Sequence, residues 1–204
     1  MKLYYAPGAC SLAPHIVARE AGLPVTLERV DLSTRRTASG VNYLAVNPKG
    51  YVPAITMADG SVLTEAGAII QYLADQQPAS GLAPANGSPE RYRLIEWITF
   101  ISSEIHKGFG PLWNPAAPEA MKAATKEKLA ARFAYLDETL ATRPFLMGDT
   151  FTIADAYLFT VVNWSHFHHV DLSPFPHLRA FQSRVAARPK VQEALDVEGL
   201  KMAA

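Results

Sequence analysis

The chain changes its hydrophobic pattern once, at a stretch without periodicity. Residues 77–89 read QPASGLAPANGSP, a run rich in Pro, Ala, Gly and Ser that is typical of a linker. Before this run, strand-like and helix-like stretches alternate, whereas the patterned stretches after it have helical spacing. A chain of 204 residues is long enough for two small domains. We therefore predict a mixed α/β domain at residues 1–77, a linker at 78–88 and an all-helical domain at 89–204.

The first segment predicts the element order β-α-β-α-β-β-α. The strand KLYYA ends at a Pro-Gly pair, and a helix runs from Ser11 to Gly22, a residue suited to a helix C-terminus. The strand VTLERVDL follows, and then a polar loop with a short helix in STRRTASGVNYLAVNPKG. The hairpin VPAITMADGSVL turns at Asp59 and Gly60, and the last helix is TEAGAIIQYLADQ. A parallel βαβ unit followed by an antiparallel hairpin is the order of the thioredoxin-like fold.

The second segment contains four stretches with helical spacing. They are RYRLIEWITFISSEIHKGFG, PEAMKAATKEKLAARFAYLDETLAT, TIADAYLFTVVNWSHFHHV and PHLRAFQSRVAARPKVQEAL. In the first, isoleucines and a leucine recur at steps of three and four, and a second face carries Thr99, Ser102, Ser103 and His106. Thr152 and Asp155 have the spacing of a capping box before an apolar run, which is a structural signal.

Composition excludes several classes of function. Lys and Arg together number 19, as do Asp and Glu, so the net charge is zero. The chain therefore has no excess positive charge that would favour binding to nucleic acid or to an anionic membrane. The first residues lack the apolar core of a signal peptide, and no apolar stretch has the length of a membrane span. A cytoplasmic protein is therefore expected. The single cysteine cannot form an internal disulfide, and the spacing of the six histidines does not favour zinc, so no metal is predicted.

Cys10 is the most specific candidate for a functional residue, and it has two interpretations. A lone cysteine is often a small buried filler. Directly before a helix, however, the helix dipole and unpaired N–H groups stabilise a thiolate and lower the pKa of the thiol. The neighbouring Ser11 is expected to cap the helix or to donate to a bound thiolate.

Three further residues have a structural and a functional interpretation each. Pro53 precedes a strand; most X–Pro bonds are trans, whereas a cis bond would leave the backbone of Val52 as an edge for peptide pairing. Glu65 either caps the next helix or pairs with a ligand ammonium, while the first N–H groups of that helix hold a carboxylate. His106 is either a structural histidine or part of a site.

A thioredoxin-like half with these residues, followed by a linker and a helical half, resembles the glutathione S-transferases over nearly the whole chain. The motifs APGACSL and SSEIHKGFGPL are similar to those of the bacterial beta class. The resemblance implies that Cys10 contacts the sulfur of glutathione and that His106 reaches it from the helical domain. The residues that it implies for glutathione binding are Arg35, Val52, cis-Pro53, Glu65, Ala66, Ser103 and, from the neighbouring subunit of a homodimer, Glu104. Arg36 is an alternative to Arg35 for the glycyl carboxylate.

The resemblance also implies a function and an electrophile site. The function is conjugation of the glutathione thiol, as co-substrate, to small apolar electrophiles in detoxification, with thiol–disulfide exchange through Cys10 as a further activity. A glutathione-dependent dehalogenase and a non-catalytic ligand-binding protein are the alternatives. The candidates for the walls of the electrophile pocket, each equally suited to ordinary core, are Tyr5, Phe109, Leu112, Trp113 and Trp164. Ala66 departs from the family, which has Ser there, so its backbone N–H is left to serve the ligand.

Overall fold

The computed structural model describes residues 1–200, which divide into two compact units. The first unit consists of Met1–Ala83 together with the chain from Ala186 onward, and the second unit is Pro84–Val185. The boundary between residues 83 and 84, where the chain passes from the first unit to the second, therefore lies inside the expected linker.

A five-stranded mixed sheet forms the centre of the first unit, in the order β3-β2-β1-β4-β5. The central strand β1 runs parallel to β2 and antiparallel to β4, with Leu3 opposite both Leu27 and Ile55. The strands are β1 Lys2–Tyr5, β2 Thr26–Asp31, β3 Arg36–Thr37, β4 Ala54–Thr56 and β5 Val62–Thr64. Leu3 and Ile55 are fully buried, so the middle of the sheet belongs to the core.

The segment predicted as a polar loop and short helix folds differently in detail. It contributes the two-residue strand β3 and only one 3-10 turn, Tyr43–Ala45. The side chain of Asn42 caps this turn by accepting a hydrogen bond from the N–H of Leu44 at 3.1 Å. Pro48 disfavours helical geometry in the residue before it, so the turn cannot extend into a helix.

Two helices of the first unit follow the prediction closely. They are α1 Leu12–Glu20 and α2 Ala66–Gln76. Gly22 lies just after the end of α1 and has a φ of 66°. This left-handed conformation is free of steric penalty for glycine, whereas a residue with a Cβ atom would be strained. Ile69, Ile70 and Leu73 of α2 are fully buried, as their helical spacing predicts.

The C-terminal helix corrects the predicted domain boundary. The helix α9, Pro189–Glu198, packs against α1 and belongs to the first unit, although residues 89–204 were expected to form one helical domain. Glu198 accepts a hydrogen bond from the N–H of Gly8 at 3.0 Å and lies 2.9 Å from Nδ1 of His15. Both side chains are buried. Burying polar groups costs free energy unless they hydrogen-bond to a partner, as these two do to each other. This contact ties the last helix to the first.

The second unit is built from helices in the described part of the chain. They are α3 Pro89–Phe100, α4 Gly110–Trp113, α5 Glu119–Leu140, α6 Ile153–Val162, α7 Trp164–His168 and α8 Pro176–Ala186. Every residue of α6 is buried, so this helix is the centre of the unit. The capping box of Thr152 and Asp155 is formed at its start, as the sequence predicts.

The stretch between α3 and α4 departs from the predicted regular helix. Residues Ile101–His106 form a π-helix, and a 3-10 turn, Lys107–Phe109, follows it. A π-helix bonds each residue to the fifth one before it, so the side chains turn by a different angle per residue than in an α-helix. The predicted polar face is nevertheless kept: Thr99 and Ser103 are exposed and Ser102 and His106 are half-buried, whereas the leucine and isoleucines of the predicted apolar stripe are buried.

Candidate functional site

The loop that carries Cys10 is fastened to the end of β1. The hydroxyl of Ser11 accepts a hydrogen bond from the N–H of Ala6 at 3.1 Å and donates to the carbonyl of the same residue at 3.2 Å. Ser11 is fully buried and makes no side-chain cap to α1. The prediction of a helix cap is therefore wrong, because this hydroxyl closes the loop between β1 and α1 instead.

The Cys10 thiol donates a hydrogen bond to the carbonyl oxygen of Val52 at 3.1 Å. Burial raises the pKa of Cys10 to about 12, and the negative charge of Glu65 acts in the same direction. The backbone N–H groups of Cys10 and Ser11 lower the pKa, but by less than burial raises it. The expectation that the helix terminus favours a thiolate is therefore wrong for this structure, since Cys10 is a protonated donor at neutral pH.

Val52 and Pro53 form a buried segment beside this thiol. The bond between them is cis, as the family resemblance implies and against the general preference for trans. The preceding carbonyl, that of Tyr51, accepts hydrogen bonds from the hydroxyl of Tyr43 and from Nδ2 of Asn47, each at 2.7 Å. These two buried side chains fix the backbone from which the Val52 carbonyl reaches Cys10.

Glu65 and Ala66 stand at the start of α2. Glu65 has a φ of 72°, a region that costs a non-glycine residue free energy and is concentrated at functional sites. Its carboxylate makes no cap to the helix and instead pairs with Nζ of Lys49 at 2.6 Å on the surface. The first N–H groups of α2, including that of Ala66, have no acceptor within the helix. This terminus combines an exposed carboxylate with backbone donors for an anion.

The structure separates the two arginines that the sequence left as alternatives. Arg35 is half-buried, has a φ of 55° and donates from Nη1 to the carbonyl of Gly50. Arg36 is exposed and donates to the carbonyl of Gly40 at 3.0 Å. Arg35 thus lies against the segment that leads into Val52, whereas Arg36 faces the loop after β3.

The predicted site residues of the second unit cluster in the π-helix. The Ser103 hydroxyl is exposed and donates to the carbonyl of Thr99 at 2.9 Å. The Glu104 carboxylate is half-buried and pairs with the guanidinium of Arg132 at 2.7 Å. Glu104 therefore already has a cationic partner in its own chain, which orients it.

His106 ends the π-helix and is held by two aromatic side chains of the same unit. Its Nδ1 lies 2.6 Å from the hydroxyl oxygen of Tyr157. The indole of Trp164 meets the imidazole edge-on, with 4.9 Å between ring centroids. His106 is half-buried, whereas Tyr157 and Trp164 are buried. The orientation of this imidazole is consequently set by α6 and α7.

The expected wall residues of an electrophile pocket differ in exposure. Phe109 is 0 % exposed and packs behind Trp164, with 5.6 Å between ring centroids, so it is core and its expected contact with a ligand is wrong. Trp113 is 51 % exposed and Leu112 is half-buried, so both offer apolar surface. Tyr5, in the first unit, is half-buried beside the ring of His15.

Several contributors were not foreseen from the sequence. Lys49 pairs with Glu65 from 16 positions away, and Tyr157 reaches His106 across 51 positions. Tyr43 and Asn47 fix the carbonyl before Val52. No local pattern marks these residues, because each becomes a partner only when the chain has folded.

Two properties complete the description of residues 1–200. They contain no group of three or more His, Cys, Asp or Glu side chains arranged to hold a metal ion. Over the same residues, no helix combines the length and the apolar character needed to cross a membrane.

Comparison with known families matches both halves of the chain. Residues 8–76 match the family described as glutathione S-transferase, N-terminal domain, and residues 100–189 match glutathione S-transferase, C-terminal domain. The glutathione S-transferase GstA of Escherichia coli O157:H7 is 49% identical over 201 residues, which cover 98% of this chain and 100% of that protein. The chain belongs to the glutathione S-transferase family.

Solved structures extend the comparison to the bacterial beta class. A sphingomonad glutathione S-transferase complexed with glutathione has a TM-score of 0.95 at 47% identity, and the match covers 98% of this chain and 100% of that one. The beta-class glutathione S-transferase of Sphingomonas chungbukensis has a TM-score of 0.95 at 44% identity with the same coverage. The predicted fold, a thioredoxin-like domain followed by a helical domain, is confirmed. The chain is a glutathione transferase, and the non-catalytic alternative is not supported.

Proposed function

We propose that the first unit binds glutathione along the segment at Val52 and that the chain conjugates glutathione, through its thiol sulfur, to small apolar electrophiles. The observation that carries this proposal is the Cys10 thiol, bonded to the Val52 carbonyl at 3.1 Å next to a buried peptide segment. A thiol donor beside a backbone edge suits a short cysteine-containing peptide. The bound glutathione of the sphingomonad relative supports this choice of ligand.

The charged ends of glutathione suit the groups around this segment. Glu65 has an exposed carboxylate for the γ-glutamyl ammonium, and the N–H of Ala66 at the start of α2 is a donor for the adjoining carboxylate. Arg35 is the candidate for the glycyl carboxylate, because it lies against Gly50 close in sequence to Val52. The backbone N–H and carbonyl of Val52, ahead of Pro53, pair with the cysteinyl unit.

Cys10 and His106 act on the glutathione sulfur in this proposal. The bound thiol releases its proton to solvent. The S–H of Cys10 turns from the Val52 carbonyl, which then pairs with the ligand backbone, to the resulting thiolate, and His106 donates a second hydrogen bond to this sulfur. The sulfur lone pair then forms a bond to the electrophilic carbon, and the leaving group departs with its bonding electrons. A protonated Cys10 fits this role, because two thiolates side by side would repel each other.

The electrophile is proposed to contact the exposed side chain of Trp113 and the half-buried side chain of Leu112, and the buried indole of Trp164 supports Trp113 edge-on at 5.5 Å between ring centroids. Trp113 leaves half of its large surface open, which suits an aromatic or other apolar substrate. We also propose that the protein is cytoplasmic, which cell fractionation tests.

We further propose a homodimer in which Glu104 of one subunit faces the glutathione of the other, with Ser103 as a further glutathione-binding residue. Tyr51 and Tyr135 are 69 % and 50 % exposed, and large aromatic surfaces of this kind are enriched at subunit interfaces. The pairing of Glu104 with Arg132 holds the carboxylate in one orientation, as a contribution to a neighbouring site requires.

The function is tested by retention on immobilised glutathione followed by conjugation of glutathione to an aryl halide. We expect the wild-type chain to be retained and to turn over. Retention without turnover on a panel of electrophiles, including alkyl halides, would contradict the proposal and favour a binding protein. Chloride release from the alkyl halides identifies a dehalogenase.

The Cys10→Ala variant separates conjugation from thiol–disulfide exchange. We expect the variant to retain much of the conjugation, because His106 still stabilises the glutathione thiolate, and to lose exchange, which needs a protein sulfur. Mass spectrometry after long incubation with oxidised glutathione should show one added glutathione on the wild type, formed slowly because only the small thiolate fraction of Cys10 reacts, and none on the variant. If the wild type stays unmodified and the variant loses neither activity, Cys10 is only a filler.

A further inference from the structure

The hydroxyl of Tyr157 is the closest polar contact described for His106. The distance of 2.6 Å between this oxygen and Nδ1 is that of a strong hydrogen bond. A phenol is a better donor than acceptor, because its oxygen shares electrons with the ring, and a neutral imidazole nitrogen is a good acceptor. The favoured arrangement is therefore Tyr157 as donor and Nδ1 as acceptor.

We propose that Tyr157 is a positioning residue that fixes the tautomer of His106, with the proton on Nε2. Because Nδ1 is occupied, any hydrogen bond from this imidazole to a substrate sulfur has to use Nε2. With its proton on Nε2, His106 donates to the glutathione thiolate and is not the base that removes the thiol proton. This role rests on the proposed function, whereas the tautomer itself does not.

The position of Tyr157 in the fold makes it suited to this task. It is 1 % exposed and lies within α6, whose residues are all buried. The capping box of Thr152 and Asp155 fixes the start of α6 one turn before Tyr157. A side chain on such a rigid element loses little further freedom when it holds a partner.

Trp164 restricts the same imidazole from another direction. Its ring meets His106 at 75° between planes, with 4.9 Å between centroids, and it is itself 4 % exposed. Rotation of the imidazole about its Cβ–Cγ bond would move Nδ1 away from the Tyr157 hydroxyl and disturb this edge-on contact. The tautomer is thus coupled to a single ring orientation.

The proton balance distinguishes a donor from a base. In the reaction proposed above, the thiol proton goes to solvent, the sulfur–carbon bond forms and the leaving group departs, while His106 keeps one proton throughout. Loss of the Tyr157 hydroxyl lets the imidazole populate the other tautomer, whose Nε2 has no proton to donate. The bound thiol then becomes less acidic.

The first test is a pair of variants with matched chemistry. Tyr157→Phe keeps the buried ring and removes only the hydroxyl, and Tyr92→Phe makes the same change at an exposed position of α3. We expect the acidic limb of the pH profile of kcat/KM for glutathione conjugation to move up by about half to one pH unit in Tyr157→Phe. The profile of Tyr92→Phe should match that of the wild type. An unchanged profile in Tyr157→Phe would overturn the positioning role.

The second test reads the tautomer directly and needs no substrate. Nitrogen NMR of the 15N-histidine-labelled wild-type chain, with His106 assigned by its absence in His106→Gln, reports which ring nitrogen carries the proton. We expect the proton on Nε2 in the wild type at pH 8 and a mixture of tautomers in Tyr157→Phe. A proton on Nδ1 in the wild type would overturn the proposal, even if Tyr157→Phe failed to fold. A wild type that shows the expected tautomer but no conjugation would instead contradict the proposed function.

Discussion

At the scale of single residues, the protonation state of Cys10 is decided by burial more than by its place before a helix. The S–H group has an acceptor in the Val52 carbonyl, and burial raises the pKa to about 12. A helix terminus contributes a modest free energy that weakens over one turn, whereas desolvation of the charged sulfur has the larger effect on the pKa of Cys10.

The reactivity of Cys10 should follow this shift. In the ligand-free chain, alkylation by iodoacetamide should be far slower than that of a free cysteine between pH 7 and pH 9, because only the thiolate reacts and its pKa is about 12. The measurement is the rate of mass increase at each pH. A thiol modified as fast as glutathione at pH 8 would contradict the raised pKa.

The same shift gives a sign for stability against pH. The folded thiol titrates near 12 and the unfolded one near 9.0, so the folded state binds more protons between these values. The contribution of Cys10 is present below pH 9 and is lost as the pH rises towards 12. Cys10→Ser should therefore lose less stability than the wild type between pH 8 and pH 10.5 in chemical denaturation.

Ala66 offers a test of the anion site at the start of α2. Ala66→Ser should bind glutathione about two- to tenfold more tightly, since one hydrogen bond is worth roughly 0.5–1.5 kcal/mol net. Isothermal titration calorimetry on both forms measures the change. Equal affinity would mean that backbone donors already satisfy the ligand carboxylate. Gly67→Ser provides a control one position further along the helix.

At the scale of elements, the capping box is a buried network more than a surface cap. Asp155 is fully buried and accepts hydrogen bonds from the N–H groups of Leu146 and Thr152 and from the Thr152 hydroxyl, each at 2.8 Å. Thr152→Ala should cost about 1 kcal/mol of unfolding free energy, as a lost cap does. Asp155→Ala should cost more, about 2–4 kcal/mol, because two buried N–H donors lose their acceptor.

Urea denaturation of the two variants checks this order. Asp149→Ala is the matched control, because Asp149 is an exposed carboxylate close in sequence to α6. Equal losses for Thr152→Ala and Asp155→Ala would show that water replaces the missing carboxylate. A variant that kept its stability but lost conjugation would assign the capping box a direct role in the reaction.

At the scale of the whole molecule, the proposed dimer has a simple physical consequence. Sedimentation equilibrium at micromolar concentration should give about twice the chain mass of 22.2 kDa, because the exposed aromatic side chains Tyr51 and Tyr135 lose contact with water. Tyr51→Ser should shift the equilibrium towards the monomer. A strict monomer that conjugates glutathione would remove the role of Glu104 across subunits.

The element order and much of the candidate site can be predicted from the amino-acid sequence. Local patterns carry this information: period-two alternation in the strands, three-and-four spacing in the helices, a glycine after α1 and the Thr152–Asp155 pair before α6. The family resemblance added roles for Cys10 and His106, because their motifs are contiguous. These features depend on residues close together in the sequence, so one amino-acid sequence is sufficient to predict them.

The surroundings of those residues depend on contacts that form only in the folded chain. The assignment of α9 to the first unit, the π-helix at His106, the burial of the Cys10 thiol and the contact of Tyr157 with His106 each depend on groups far apart in sequence. Desolvation and hydrogen bonding between distant elements set the pKa of Cys10 and the orientation of His106. These quantities have no value until the chain has folded, and no local pattern of residues specifies them.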